Sequence, residues 1–395
     1  MSDEPILDAV LTARRLAALE LAAGREATAN EIAAVGQATD PDAAAGAFSQ
    51  IQLRRQAHRK FERSAEMFFT RDALEMASHE EVARFHAARF PVGVFVADLT
   101  CGIGSDLIAL SERGPAVGFD IDFTHAAYAQ HNVRVHGQSS LVRASDCLCF
   151  QHLHHVPGQD EGASEGIQYA YADPARRTGG RRHARLEDYV PSVADLAAWM
   201  RRMRLGLLKL SPMLPDAELE SIVGRIEFVG HQWECKEALI TLGADAQPGR
   251  FAVLVESGQE LPAGGTRATQ TQSRDWILEA HPCAIRAHAL PALGAETDSV
   301  LLGQSNGFLT AARPSSSAWV RNFEVLATVP ARPKDVRRWC ADHNAKPTAV
   351  KPRALPIEPE AWMRQFRELS GEPVEVLVYP GDRGQASICR RLAAD

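Results

Sequence analysis

The stretch that most restricts this chain of 395 residues is residues 94–106, VFVADLTCGIGSD, which asks in quick succession for a buried strand, a glycine turn and a helix start. Val94, Phe95, Val96 and Ala97 form the short β-branched and aromatic run of a parallel strand buried on both faces. Asp98 ends that strand. Gly102 and Gly104 let the backbone turn sharply and approach a ligand, and Ser105 or Asp106 is placed to cap a helix carrying Leu107, Ile108 and Leu110. A ligand is therefore expected at the carboxyl end of the strand. The dinucleotide fingerprint GxGxxG needs a third glycine at position 107, where this chain has Leu107, so NAD is disfavoured.

A carboxylate opening the turn, Asp98, suits a ligand with a cationic amino-acid end better than a pyrophosphate, which would set negative charge beside negative charge. The DLTCGIGSD run, then AVGFDID, then ASD, resembles the first three motifs of class I S-adenosylmethionine (SAM)-dependent methyltransferases. The resemblance implies that Asp98 and the turn of Thr100, Cys101, Gly102 and Gly104 hold the methionine end. Asp120, with Ile121 beside it, would meet the ribose hydroxyls. Asp146, with Cys147 beside it, would meet the adenine amino group. The implied fold is α/β: a Rossmann-like, doubly wound, seven-stranded sheet with an N-terminal helical domain and a small C-terminal α+β domain.

Length suggests two or three domains, and a hydrophobic fraction of 45% supports globular packing. The seven cysteines form no regular pairs, and Cys147 and Cys149 sit in an apolar run, which points to reduced thiols and the cytoplasm. The start, MSDEPILDAV, lacks the pattern of a signal peptide, and no run approaches the roughly 18 apolar residues of a membrane span. A net charge of −7 excludes a globally basic nucleic-acid binder but not a local basic face.

Residues 5–90 read as helices. Asp40 and Pro41 fit the cap and first position of a long helix through Ile51, Leu53 and Phe61. Arg54, Arg55, Arg59 and Lys60 read either as its wet side or as an RNA contact. Met67, Phe68 and Phe69 read as packing between the helical and catalytic parts, or as a lid over the cofactor, with Thr70 capping the next helix. From Val94 strands alternate with helices. Residues 117–119 give a second strand, ending at Asp120, Thr124 caps a helix that Gly137 stops, and residues 141–144 give a third strand. His152, His154 and His155 lie in a Gly- and Glu-rich insertion without suitably spaced cysteines, so no metal is expected there or elsewhere. A fourth strand ends at Asp173, a fifth spans 205–210, and 237–242 with 251–255 read as a terminal hairpin. Residues 257–271 read as a linker or loop. Beyond them FEVLATV, PKDVRRWCADH, TAVKPRA, PEAWMRQFREL, VEVLVYP and QASICR alternate strand, helix, strand, helix, strand, strand, as a split βαβ unit does. The expected domains are 1–90, 91–260 and 273–395.

The fourth strand ends beside the methyl donor in such a sheet, which puts Asp173, Pro174 and Arg176 at the acceptor. DPAR resembles the (Asp/Asn)-Pro-Pro-(aromatic) motif of methyltransferases acting on planar or exocyclic nitrogens, with Ala175 in place of the second proline and Arg176 in place of the ring. Asp173 would also border the cofactor. An acidic side chain and a strand-end carbonyl accept hydrogen bonds from an amine and aim its lone pair at the sulfonium methyl. Arg176, Arg177, Arg181, Arg182 and Arg185 follow with no acid until Glu187 and read as phosphate contacts or as a solvated loop. His183 among them is a base or one more polar loop residue.

KFERSAEMFFT, DLTCGIGSD, DPARR, LLKLSP (207–212) and AVKPRALPIEPEAW (349–362) together resemble class I methyltransferases with an N-terminal helical region and a C-terminal THUMP-like domain. That resemblance implies structured RNA, tRNA or rRNA, as partner, with Lys351 and Arg353 as a matching basic pair for which a surface salt bridge is the alternative. The leading reading is a SAM-dependent RNA N-methyltransferase. A SAM- or RNA-binding protein without turnover, and a methyltransferase acting on a protein or small-molecule nitrogen, are the other two.

Overall fold

The computed structural model describes residues 11–150, 166–176, 185–266, 268–303 and 306–392. The chain forms two compact units, Met1–Arg225 with Leu239–Pro248, and Ile226–Ala238 with Gly249–Asp395. Among the described residues no helix is long and apolar enough to cross a membrane.

The first unit opens with α1 (Ala13–Ala22), α2 (Ala29–Ala38) and α3 (Pro41–Ala57), capped by Thr12, Thr28 and Asp40 through their side-chain oxygens. Their shared core is built on Ala18, Ala22, Ala43, Ala44 and Ala47, with Val35 and Phe48 as its larger members, so the helices meet at short range. The long helix ends at Ala57, and Phe61 is buried in the turn after it instead of continuing its apolar face. Thr70 caps α4 (Arg71–Met76) as expected, and α5 (Glu80–Ala87) follows.

The sheet strands are β1 (Val96–Asp98), β2 (Ala116–Asp120), β3 (Leu141–Ala144), β4 (Tyr169–Ala172) and β5 (Leu205–Leu210). All pair in parallel, in the order β5-β4-β1-β2-β3. They are connected by α6 (Ser105–Ser111), α7 (Phe123–Val135) and α8 (Val193–Met200). Because β1 leads to β2 on one side while β4 lies on its other side, the strand order reverses between β1 and β4 and a crevice opens at their carboxyl ends.

Two helix starts differ from expectation. α6 is capped by Gly104 at φ 92°, with no side-chain cap, because a left-handed residue is needed where the loop enters the helix. Ser105 and Asp106 are buried inside its first turn. α7 is capped by Asp122, whose Oδ1 accepts from the amides of Thr124 and His125.

In the second unit the strands Glu260–Pro262, Gly249–Leu254 and Arg225–His231 are neighbours in that order. The expected hairpin of 237–242 with 251–255 is not formed: Arg225–His231, whose polar Glu227 and His231 masked it as a strand, lies between Gly249–Leu254 and Glu234–Leu242. The 257–271 loop contributes short strands at both ends, Glu260–Pro262 and Thr269–Gln270. An eight-stranded sheet runs in the order Thr269–Gln270, Val300–Leu302, Phe308–Ala311, Trp276–Ala280, Val320–Pro330, Gln385–Arg391, Glu372–Tyr379, Ala345–Pro352. Its last four strands with the helices Pro333–Asp342 and Pro359–Gln365 follow the expected alternation, and Ala345–Pro352 pairs in parallel with Glu372–Tyr379 across the second helix. Val336 and Cys340, then Trp362 and Phe366, stand four residues apart and bury one face of each helix end against that sheet.

Candidate active site

Every described candidate for the cofactor lies at the carboxyl ends of β1, β2, β3 and β4, and backbone bonds tie the loops together. Asp98 is fully buried at the end of β1. Its Oδ1 accepts from the Thr100 amide at 3.2 Å, whereas its Oδ2 is buried without a hydrogen-bond partner among the described residues. Burial first, then the nearby carboxylates of Asp106, Asp173 and Asp120, push its carboxyl well above the usual range. A buried, half-satisfied acid costs free energy unless a cation or donor completes it.

Beyond Asp98 the turn is shaped by two glycines with different tasks. Gly102 has φ 55° and open space where a side chain would be, so its backbone faces a void. Its amide donates to Asp120 Oδ2 at 2.9 Å, fixing the acid of β2 beside the turn. Gly104 packs tightly, since a Cβ would stand 3.2 Å from the Ala129 Cα of α7. The Cys101 amide donates to the Phe119 carbonyl, and its thiol, buried near Asp98 and Asp120, is raised well above its ordinary value.

Asp120 also accepts from the Asp122 amide at 2.8 Å, and His125 Nδ1 stands 3.8 Å from it. Burial raises its carboxyl, with the amides of Asp122 and Gly102 and the charge of His125 opposing. Next to it Ile121 is 73% exposed, an apolar side chain with no core to enter. Ser145 donates its amide to the Asp120 carbonyl, bringing the end of β3 alongside. There Asp146 caps its own turn, Oδ1 accepting from the Leu148 amide at 2.9 Å. Burial pushes the Cys147 thiol up to about 12, so it is a neutral wall residue.

On the other side of β1, the Asp173 amide donates to Thr100 Oγ1 at 2.6 Å, joining the end of β4 to the glycine turn. Its Oδ2 receives the Lys209 Nζ of β5 at 2.6 Å. Pro174 is buried. The Arg176 backbone pairs with Tyr189 in a two-residue antiparallel ladder. Tyr189 Oη in turn receives the Ser211 amide. Arg177, Arg181, Arg182 and His183, like His152, His154 and His155, lie outside the described residues.

Sequence reading missed a line of polar side chains behind Asp173. Lys209 Nζ also donates to Ser78 Oγ at 3.2 Å, Ser78 Oγ donates to Asp106 Oδ2 at 2.9 Å, and Asp106 Oδ1 meets His86 Nδ1 at 2.7 Å. His86, fully buried, stacks on Tyr171 of β4. Burial alone would raise Asp106, but His86, Lys209 and Ser78 outweigh it and hold the carboxyl below its ordinary value. The available signal was a lysine inside the apolar strand LLKL, where a charge needs a partner.

The segment before α4 is a wall, not a lid. Asn132 of α7 accepts from the Phe68 amide and donates to the carbonyls of Phe68 and of Ile103 in the glycine turn, and Met67 and Phe69 are fully buried. The cations of α3 and its exit serve that wall: Arg54 Nε donates to the Met67 carbonyl, and Lys60 Nζ donates to the carbonyls of Leu74, Glu75 and Ala77 at the end of α4. Arg54 and Lys60 are thus neither a wet face nor spare charge for RNA.

In the second unit, Lys351 Nζ bonds to Glu279 Oε2 at 2.9 Å and Glu375 Oε2 at 3.1 Å, and Arg353 reaches Glu279 Oε1 at 3.4 Å. Lys351 lies over the Phe323 ring. The salt-bridge alternative describes this pair.

Residues 320–391 match the family described as THUMP domain-like. Two Mycobacterium tuberculosis proteins, from strains CDC 1551 / Oshkosh and ATCC 25618 / H37Rv, are each 28% identical to this chain over 339 residues, spanning 82% of it and 89% of their own length. Both carry the name uncharacterized S-adenosylmethionine-dependent methyltransferase. A crystal structure from Porphyromonas gingivalis W83 with a provisional methyltransferase name superposes at a TM-score of 0.75, with 18% identity and 100% of both chains covered. The chain shares that fold over its whole length.

Proposed function

We propose that this chain is a SAM-dependent methyltransferase that methylates a nitrogen of a nucleobase in structured RNA, tRNA or rRNA, in the cytoplasm. Its relatives' name and its fold support the methyltransferase class. The THUMP domain-like match supports RNA. The observation that carries the cofactor reading is Asp98 Oδ2, a buried carboxylate oxygen without a partner among the described residues, beside a glycine whose side-chain space is open. The ammonium of an amino-acid end supplies both the charge and the donor that oxygen lacks. Asp120, held by the Gly102 amide, takes the ribose hydroxyls. Ile121 lies against the adenine face, and Asp146 with Cys147 borders its edge.

When bound, SAM supplies an electrophilic methyl group for in-line displacement. The chain's own part is positioning. Thr100 holds the end of β4 against the glycine turn, so Asp173 stands next to the cofactor side of the crevice. There its carboxylate accepts from the acceptor amine and aims the lone pair. Pro174 fixes the strand exit, Arg176 meets the base or its phosphate, and Arg177, Arg181 and Arg182 meet flanking phosphates. The proposed division is a helical region 1–90, a catalytic region 91–260 and a THUMP-like region 273–395, with RNA contact assigned to the arginine run and not to Lys351 and Arg353.

Single-turnover transfer of labelled methyl to RNA from a strain lacking the gene tests this. Asp173→Ala is expected to bind SAM as the wild type does and to lose about two orders of magnitude in turnover. Wild-type transfer to protein or small amines but not to RNA rejects the RNA reading, and no transfer to any acceptor leaves a binding protein.

A further inference from the structure

We infer that Lys209 is a positioning residue for methyl transfer: it keeps Asp173 anionic and fixed at the acceptor side of the crevice, and Ser78 and Asp106 hold Lys209 in place. The inference rests on the methyltransferase reading above. β4 and β5 pair with Ala172 level with Leu208, so Asp173 and Lys209 leave the sheet side by side, and Nζ meets Oδ2 at 2.6 Å. The lysine side chain is only 13% exposed and the aspartate 30%, so bulk water screens the pair weakly. Ser78 Oγ takes a second Nζ proton and passes its own to Asp106, which His86 anchors from behind. The ammonium is thereby held between Asp173 and Ser78.

The ion pair at 2.6 Å bears directly on the charge of Asp173. Asp98 at the end of β1 lies within electrostatic reach of Asp173, Asp106 and Asp120, and Asp106 in turn within reach of Lys209. Removing Lys209 takes the cation at 2.6 Å from Asp173 and leaves the Asp98 carboxyl nearby. An acid so placed binds a proton more readily, and an opposite charge within hydrogen-bond range moves a carboxyl by about 1 to 3 pH units. A protonated Asp173 donates where the acceptor amine also donates, so the lone pair is no longer aimed.

The test separates this role from a merely structural one and from the RNA reading. Carbon-13 carboxyl spectra of the full chain labelled at aspartate, assigned with Asp173→Asn, are titrated for wild type, Lys209→Met and Lys209→Arg. Expected is an Asp173 titration about one pH unit or more higher in Lys209→Met and restored in Lys209→Arg. In turnover, Lys209→Met is expected to lower kcat more than it raises the KM for RNA, with the acidic limb of kcat moved up in pH by the same amount. An Asp173 titration unmoved in folded Lys209→Met overturns the inference whatever the acceptor is. A moved titration with no methyl transfer to RNA by wild type keeps the Lys209–Asp173 coupling and rejects the RNA reading alone.

Discussion

The carboxyl end of β1 and the strand Ala345–Pro352 both carry charged residues that a sequence reading assigns to ligands, and they differ in how those charges are completed. Asp98 is buried with one oxygen lacking a hydrogen-bond partner among the described residues. Lys351 is partly buried with two glutamates on it and an aromatic ring beneath. Folding alone does not account for a buried acid kept half-satisfied, because replacing it would relieve the desolvation cost. It does account for Lys351, which neutralises Glu279 and Glu375. Residue type and motif position are similar signals for the two places, whereas satisfaction by the chain itself separates them.

The largest effect should come from breaking the first side. Asp98→Asn keeps an acceptor for the Thr100 amide but removes the charge, and SAM affinity by calorimetry is expected to fall about 100-fold, near 3 kcal/mol for a lost charge-assisted hydrogen bond. Stability should move the other way. The folded-state carboxyl titrates above its unfolded value, so its penalty is absent at low pH. The penalty grows as pH rises from the unfolded carboxylate range, near 4, through the folded-state titration. Above that window the variant is expected to melt at or above the wild-type temperature, while wild-type SAM affinity rises through it. A variant that binds SAM as wild type does removes Asp98 from the cofactor site.

A smaller loss is expected at Asp120, which the chain already satisfies through the Gly102 and Asp122 amides. Asp120→Ala should weaken SAM by about 1 to 3 kcal/mol, part of it through release of the Gly102 amide and a looser turn. Unchanged affinity for SAM would place the ribose elsewhere.

Legibility followed the same division. The turn from Asp98 to Gly104, the strand ends at Asp120 and Asp173 and the C-terminal alternation were readable because local pattern dictates them: an apolar run, glycines at positive φ, helices with an apolar face. Lys209, Ser78, Asp106 and His86 were not readable as a set, since they lie as much as 131 residues apart in pairing and only the parallel register of β4 and β5 unites them with Asp173. Arg54 and Lys60 looked like solvent charges because sequence cannot show that the Met67 carbonyl and those at the end of α4 need donors. The strand Arg225–His231 escaped because it buries Glu227 and His231, against the alternation expected of a half-buried strand.

The basic residues sharpen the comparison further. If the run at Arg177, Arg181 and Arg182 meets phosphates, affinity for structured RNA falls steeply with salt. Charge reversal of Arg181 and Arg182 then reduces the slope by about one to two phosphate equivalents, each contributing 0.7 to 0.9. An unchanged slope with SAM binding retained leaves these arginines as a solvated loop.

The smallest effect on RNA binding is expected from Lys351→Met, and it tests the satisfied side of the comparison. The methionine keeps apolar contact with Phe323 but leaves Glu279, only 7% exposed at its side chain, with Arg353 at 3.4 Å as its remaining ion-pair partner among the described residues, and leaves Glu375 without its 3.1 Å partner. Because Lys351 is 24% exposed, water screens part of the loss. A destabilisation of about 1 kcal/mol by denaturant midpoint is the expected outcome, with the salt slope for RNA unmoved. A slope that falls by one phosphate equivalent while stability holds would mean that Lys351 leaves its glutamates for RNA, and that satisfaction within the chain does not separate structural charge from ligand-binding charge here.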